Sequence, residues 1–587
     1  MTMVAPRLID DVEVMVAGQG GDGSLTVINL LSRLLARRGF HLYAARNVQS
    51  RIKGGHAAAL LRGSRLSRGC LGDRVDVLVA FDDEAIFQGG PRLADDGIVI
   101  FDGSAGSPPG EYLPDGALVL EIPFARMAVR DLRRDLYKNS LSFGVLTRVL
   151  GVPDEEAVTT LDAQFSRLPE LLRSANRNAL ANGFAYADER GITEGNGPRA
   201  LFDTEAADRL LISGNEALSL GFLTAGGRFF TGYPITPASE ILDWLSRRLP
   251  EFGGIAVQAE DELAAVNMAI GAAMTGTRVM TATSGPGISL MQEGISQAGS
   301  AEIPLVIVDS QRSGPSTGMP TKPEQSDLNM VVHGGNGDFP RIVLAPSSAA
   351  DCFEIGVAAT NLAQQLQGPV YIVHDQSIAQ HAETVEPFDL DVSIETGKRI
   401  GIEELSGIGE YRRYAITPDG VSPWAVPGTP GGMSLVTGNE RNEWGLVSTE
   451  PGNRVTMVDK RMRKVESLRP DLPAGTTWGD PSAPIGFLGV GVAVAPMREA
   501  TERLARAGIA VAGLAPKTLW PVPSETMRFL GARRRTYVVE HNAEAQLAHL
   551  LAGCGASFEK LQSILRYDGL AFTAGDIVEE IMRREAG

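Results

Sequence analysis

The chain has 587 residues, with 54 Lys and Arg against 71 Asp and Glu, a net charge of −17 and a hydrophobic fraction of 43%, enough for three or four domains with buried cores. No basic stripe marks a nucleic-acid surface, no apolar run of about 18 residues suggests a membrane span, and the acid-bearing start MTMVAPRLIDD does not read as a secretory leader. The three cysteines, Cys70, Cys352 and Cys554, form no C-x-x-C pair, so this chain alone is not expected to hold an iron–sulfur cluster, and a reducing cytoplasm fits.

In chain order, Val-Glu-Val-Met-Val-Ala at 12–17 predicts a strand, Gly18-Gln-Gly-Gly-Asp-Gly23 a glycine loop, and residues 25–38 an amphipathic helix. Strand, glycine loop and helix make a Rossmann-like opening that places a phosphate on a helix N-terminus. Strands follow at Val75–Ala80 and Gly97–Phe101, with a second glycine-bearing loop, Lys53-Gly54-Gly55, before them. Gly21-Asp22-Gly23 with Asn47 has the look of a metal–diphosphate motif, but the spacing is short and Val48 stands where a second ligand is expected. This first domain is placed at residues 1–190, followed by a polar, glycine-rich linker at 191–205.

A second α/β domain, 206–390, predicts strands at Arg228–Thr231, Arg278–Thr283, Leu305–Asp309, Arg341–Ala345 and Val370–His374. His374 and His381 lack metal-ligand spacing and read as structural or surface residues. Three of its segments stand out. Gly232-Tyr-Pro-Ile-Thr-Pro-Ala-Ser239 holds Thr236 between two prolines, on a rigid turn that also suits an N-cap with Pro237 opening the helix Ala238–Leu249. Glu262 is followed by Ala265, Ala269 and Gly271; offsets of three and seven share a helix face, and small residues there allow close packing. A helix-start acid at the positive end of the dipole explains Glu262 alone. Thr283-Ser-Gly-Pro-Gly287 reads as a strand-to-helix turn or as a backbone-lined ligand edge. Beyond the strand at 305–309, Arg312 lies in a glycine-rich loop with Thr321, at a carboxyl edge where ligands bind; it suits a bidentate grip on a carboxylate, or a surface salt bridge.

Residues 391–470 fit no regular alternation and read as an irregular connector with interaction surface, basic at Lys460-Arg-Met-Arg-Lys464. A last domain, 471–587, predicts a strand at Ile485–Gly491, a helix at Ala495–Ala507 and strands at Ile509–Leu514 and up to Glu540-His-Asn542. The fold class throughout is multidomain α/β.

Taken together, the YPITP, E-x-x-A-x-x-x-A-x-G and TSGPG segments resemble the pyrimidine-binding domain of the 2-oxoacid:ferredoxin oxidoreductases. The chain resembles their alpha subunit with a fused N-terminal gamma domain, and its last domain resembles a transketolase C-terminal domain with that family's E-x-N. The resemblance implies a coenzyme A-acylating oxidative decarboxylation, reversible toward carbon dioxide fixation, with 2-oxoglutarate favoured over pyruvate or another 2-oxoacid. Glu262 would then meet N1' of thiamine diphosphate, Pro234, Ile235, Ser284, Gly285 and Pro286 would line the cofactor, and Thr236, Arg312 and Thr321 would contact the 2-oxoacid. Gly18, Gly20, Gly21, Lys53, Gly54 and Gly55 would hold coenzyme A, although Asp22 and Lys53 depart from the residues usual there, and a plain backbone turn explains the loop equally well. A partner beta subunit would carry Mg2+, the diphosphate half-site and a [4Fe–4S] cluster in an (alpha-beta)2 assembly reducing ferredoxin. A non-redox thiamine-dependent decarboxylase subunit and a non-catalytic dinucleotide-binding scaffold are the rival readings.

Overall fold

The computed structural model of the chain describes residues 7–585 apart from 22, 49–54, 133 and 203. Two compact units emerge: residues up to Leu211 with His381–Pro387 and Thr573–Glu579, and the remainder.

The first unit is built on a mixed sheet. Strands Leu118–Ile122, Leu93–Asp102, Val75–Ala80 and Asp11–Gln19 run parallel, in that order. Next come His56–Ser64, His41–Val48 and Ala382–Val385, each antiparallel to its neighbour. The opening strand is buried along Val12–Gly18, as an apolar run paired on both sides in the middle of a covered sheet should be. The helix after it spans Ser24–Arg37 and buries Val27, Leu30, Leu31, Leu34 and Leu35. Two strands were not anticipated: the hairpin pair at 41–48 and 56–64 is alanine-rich, and alanine carries little strand preference. Within the stretch expected to be a linker, Arg199–Leu201 pairs in parallel with Arg7–Ile9.

The second unit has two sheets. Its first strands are β1 (Phe229–Gly232), β2 (Ile255–Gln258), β3 (Val279–Thr283), β4 (Leu305–Gln311), β5 (Ile342–Leu344) and β6 (Pro369–Asp375). They lie in the order β2-β1-β3-β4-β6-β5, all parallel, with Thr518–Trp520 added antiparallel at the β5 edge. The chain reverses direction across the sheet between β1 and β3. That reversal opens a crevice at their carboxyl ends, where doubly wound sheets bind ligands. Strand β2 was missed from sequence because it is a short, partly exposed edge.

The helices that matter for the crevice are α1 (Ser239–Arg248), α2 (Glu262–Met274) and α3 (Gly285–Ala301). Ala265 and Ala269 of α2 are fully buried, as their spacing requires, whereas Gly271 faces open space. The close approach of α2 to α3 is made instead by Gly294, where a Cβ would lie 2.9 Å from Val266.

The expected irregular connector contains α4 (Pro451–Leu468), and three of the four basic residues in its basic run, Lys460, Arg461 and Lys464, are buried. Lys460 and Lys464 are completely buried and flank Glu302, so burial of α4 holds residues 391–470 against the sheet-bearing core. The last sheet is ordered Thr476–Gly479, Val511–Ala515, Ile485–Gly489, Arg535–Glu540 and Leu561–Leu565. Its residues Leu488, Leu514 and Val538 share one apolar core with Ile307 and Tyr371 of the seven-stranded sheet and Ile295 of α3. No helix among the described residues is long and apolar enough to cross a membrane.

Candidate active site

Three loops leave the carboxyl ends of β1, β3 and β4 side by side, and they carry the YPITP segment, the SGPG turn and the Arg312 loop. Glu262 reaches the same crevice from the first turn of α2. Its neighbour Asp261 takes the cap, accepting from the Ala264 amide at 2.7 Å, which leaves Glu262 turned inward and 5% exposed. The positive end of α2 favours a carboxylate there. Thr283, the last residue of β3, donates a long hydrogen bond of 3.4 Å to Glu262 Oε1.

Gly287 is what makes this arrangement fit. A Cβ at that position would lie 1.9 Å from Thr283 Oγ1 and 2.7 Å from Glu262 Oε1. No side chain is compatible with the Glu262–Thr283 contact, which gives the second glycine of SGPG a steric reason. The first, Gly285, keeps a similar gap against Asp327, whose Oδ2 would sit 2.6 Å from a Cβ. Ser284 precedes α3 in extended backbone without capping it, and its buried hydroxyl has no hydrogen-bond partner within the described residues. Pro286 is half-buried in the first turn of α3.

Thr236 does not cap α1. The helix begins at Ser239, and Ala238 holds the cap position without a side-chain bond. Pro237 therefore lies before the helix and not at its first position. Pro234 is exposed and Ile235 half-buried, and the Ile235 carbonyl accepts from the Ser239 amide at 2.9 Å. The Thr236 carbonyl accepts from Arg312 Nη1 at 2.7 Å, so the two residues are in contact.

Arg312 is 8% exposed, which removes the surface salt-bridge reading. Its Nε is buried with no partner among the described residues. Burial lowers its pKa, and the Asp327 and Glu262 carboxylates oppose that shift. The guanidinium thus sits beside two acids with donor capacity to spare. Thr321 is half-buried in the same loop. The loop is closed on itself by amide bonds from Ser313 to the Lys322 carbonyl and from Met319 to the Ser313 carbonyl, both 3.0 Å.

Sequence reasoning missed two acids. Asp309, near the end of β4, is fully buried, and neither carboxylate oxygen has a partner among the described residues; burial, then Asp327, pushes its pKa well up. Asp327 is raised to about 6 by burial and Glu324 against Arg312. Asp309 had a signal, a lone acid closing the apolar run Leu-Val-Ile-Val. Asp327 had none, because its place depends on the path of an irregular loop.

In the first unit, the Gly20 amide donates to the Gly55 carbonyl at 2.8 Å, so the two glycine loops meet. Gly18 is buried at the strand end, and Gly21 has a positive φ of 101° with open space around it. Lys53, Gly54 and Asp22 lie outside the described residues. His374 is buried and its Nε2 donates to Asn215 Oδ1 at 3.1 Å; burial lowers its pKa to about 4, in keeping with a structural histidine.

Comparison with known proteins follows the same division. The family described as pyruvate flavodoxin/ferredoxin oxidoreductase, thiamine diphosphate-binding, matches residues 221–422, and that described as pyruvate ferredoxin/flavodoxin oxidoreductase matches residues 13–186. A 2-oxoacid:ferredoxin oxidoreductase subunit alpha of a Sulfolobus species is 30% identical over 97% of this chain and 96% of its own length. The 2-oxoglutarate oxidoreductase subunit KorA of Mycobacterium tuberculosis is 35% identical over 77% of this chain and 68% of its own length. A solved 2-oxoglutarate:ferredoxin oxidoreductase from Magnetococcus marinus, with 2-oxoglutarate, coenzyme A and succinyl-CoA bound, superposes with a TM-score of 0.92 at 34% identity, covering 98% of this chain and 99% of that one.

Proposed function

The chain belongs to the 2-oxoacid:ferredoxin oxidoreductase family, and from that premise we propose that its second unit supplies the pyrimidine half of a thiamine diphosphate site together with the pocket for the 2-oxoacid, with 2-oxoglutarate the favoured substrate. The observation that carries this reading is the buried Glu262 carboxylate, bonded to Thr283 and given room by Gly287. Overall, a 2-oxoacid and coenzyme A give an acyl-coenzyme A, carbon dioxide, a proton and two electrons passed singly to ferredoxin.

The residues present fit the cofactor's pyrimidine end. An inward carboxylate, a glycine-lined edge where any Cβ would intrude, and an unpartnered Ser284 hydroxyl face one crevice. Thiamine diphosphate supplies the carbanion chemistry when bound. Glu262 shares a proton with N1' of the aminopyrimidine, the general acid–base task of this chain. Pro234, Ile235, Ser284, Gly285 and Pro286 line the ring through backbone and small side chains. Arg312 binds the 1-carboxylate, because its guanidinium is buried, has an Nε without a partner among the described residues and stands beside the crevice. Thr236 and Thr321 orient the substrate with their hydroxyls. In the first unit, Gly18, Gly20, Gly21 and Gly55, with Lys53 and Gly54, hold coenzyme A phosphates.

The diphosphate, Mg2+ and a [4Fe–4S] cluster are assigned to a partner beta subunit, in keeping with three scattered cysteines here. The test is calorimetry with thiamine diphosphate and Mg2+, on this chain alone and on the chain assembled with its partner. Tight binding only after assembly is expected. Tight binding to the isolated chain overturns the half-site reading.

A further inference from the structure

The loop that runs from Arg312 to Asp327 is held at its far end by the last domain, through Gln325. Every polar group of Gln325 is engaged. Its amide donates to the His541 carbonyl at 2.7 Å, and its carbonyl accepts from Asn542 Nδ2 at 3.0 Å. Its Nε2 donates to Asp375 Oδ2 at 3.0 Å and to the Val490 carbonyl at 2.9 Å, while Oε1 accepts from the His541 amide at 3.2 Å. Gln325, Asp375, His541 and Asn542 are all buried, where an unmade bond costs most.

The clamp is itself braced. Asn542 Nδ2 also donates to Glu540 Oε2, and Glu540 accepts the amides of Leu547 and Ala548 at the start of the helix Gln546–Gly553. Gln546 Nε2 donates to the Ser326 carbonyl and its Oε1 accepts the Asn329 amide. On the other side, Gly491 has φ 57°, and a Cβ there would lie 2.1 Å from Asp375 Oδ2 and 2.7 Å from Gln325 Nε2. The network fills that space completely.

None of these groups touches Glu262, which sits on α2. All of them converge on the segment that carries Thr321 four residues before Gln325 and Asp327 two after. We infer that Asn542, acting through Gln325, is a positioning residue for the substrate loop, and that the E-x-N sequence of the last domain serves the geometry of the 2-oxoacid pocket and not the activation of the cofactor. This rests on the functional reading of the Arg312 loop given above.

The test uses Asn542→Ala and, from the loop side, the near-isosteric Gln325→Met, so that one failure to fold leaves the other. On the full chain, amide hydrogen exchange over residues 313–324 is expected to accelerate about tenfold, the loss of roughly one buried bond, with α2 unchanged. In the assembled complex, the KM for the 2-oxoacid is expected to rise about tenfold, while exchange of the thiamine C2 proton stays at the wild-type rate. Unchanged loop exchange and unchanged KM in the folded variants overturn the inference. A fall in C2 exchange in step with KM also overturns it, since that marks general loosening. A wild-type complex that releases no carbon dioxide from any 2-oxoacid sinks the functional reading instead, and the hydrogen-exchange result still decides whether the clamp holds the loop.

Discussion

Arg312 and Thr236, 76 residues apart, are joined by a 2.7 Å bond from the guanidinium Nη1 to the Thr236 carbonyl. The bond ties the loop after β4 to the loop after β1 across the mouth of the crevice. It also leaves Nε without a partner among the described residues. The residue is fixed from one side and free on the other, which suits a carboxylate clamp.

Arg312→Ala is expected to weaken apparent affinity for every 2-oxoacid by about 2–5 kcal/mol, because a substrate carboxylate is left unpaired in a partly dry site. Arg312→Lys recovers only part, since an ammonium cannot make two parallel bonds. Steady-state kinetics with pyruvate and 2-oxoglutarate check this. Loss confined to 2-oxoglutarate would reassign Arg312 to the distal carboxylate.

Gly287→Ala forces a methyl group to within 2 Å of Thr283 Oγ1, at 1.9 Å in the present backbone. Glu262 must move or α3 must shift. The variant is expected to lose activity by about 10²–10⁴-fold, the size of a displaced acid–base group, with secondary structure kept by circular dichroism. Full activity in Gly287→Ala would show that the Glu262–Thr283 contact is dispensable.

Glu302 anchors α4. Lys460 Nζ lies 2.7 Å from Oε1, Lys464 meets Oε2, and Arg413 Nη2 donates to the Glu302 carbonyl at 2.6 Å. Although burial opposes it, these cations hold the Glu302 carboxyl well below the ordinary range. A depressed carboxylate pKa contributes stability above the unfolded value and loses it as pH falls. Glu302→Gln leaves two ammonium groups buried and unpaired, and is expected to cost about 3–5 kcal/mol at pH 7. The gap between variant and wild type should begin to narrow below roughly pH 4.5 and keep narrowing as the pH falls further. Denaturant unfolding at pH 7 and pH 4 measures both.

Asp327 has the opposite sign. Its folded pKa is raised to about 6, so the stability it contributes is complete below the unfolded value near 4 and is lost as pH rises through about 6. Asp327→Asn is therefore expected to gain on wild type between pH 4 and pH 7, by on the order of 2 kcal/mol. Thermal unfolding across that range checks it. A pH-independent difference would mean that Asp327 does not titrate there.

What the sequence made legible follows from physical range. The run Val-Asp-Val-Leu-Val-Ala at 75–80 is a strand to the residue, because a buried parallel strand is specified by its own apolar side chains. Glu262, Thr236 and Arg312 were legible because each follows a strand or opens a helix in a recognisable local pattern. Lys460 and Lys464 were misread, since a basic run looks solvated until its buried partner Glu302, 158 residues away, is known. The Gln325–Asn542 bond spans 217 residues, and no local period encodes it.

The central claim is that Glu262 is the proton partner of the cofactor's pyrimidine. Hydrogen–deuterium exchange at thiamine C2 in the assembled complex tests it most directly, comparing wild type with Glu262→Gln. The account predicts that exchange slows by about 10²–10⁴-fold while the variant still assembles with its partner. An exchange rate equal to the wild type would contradict it.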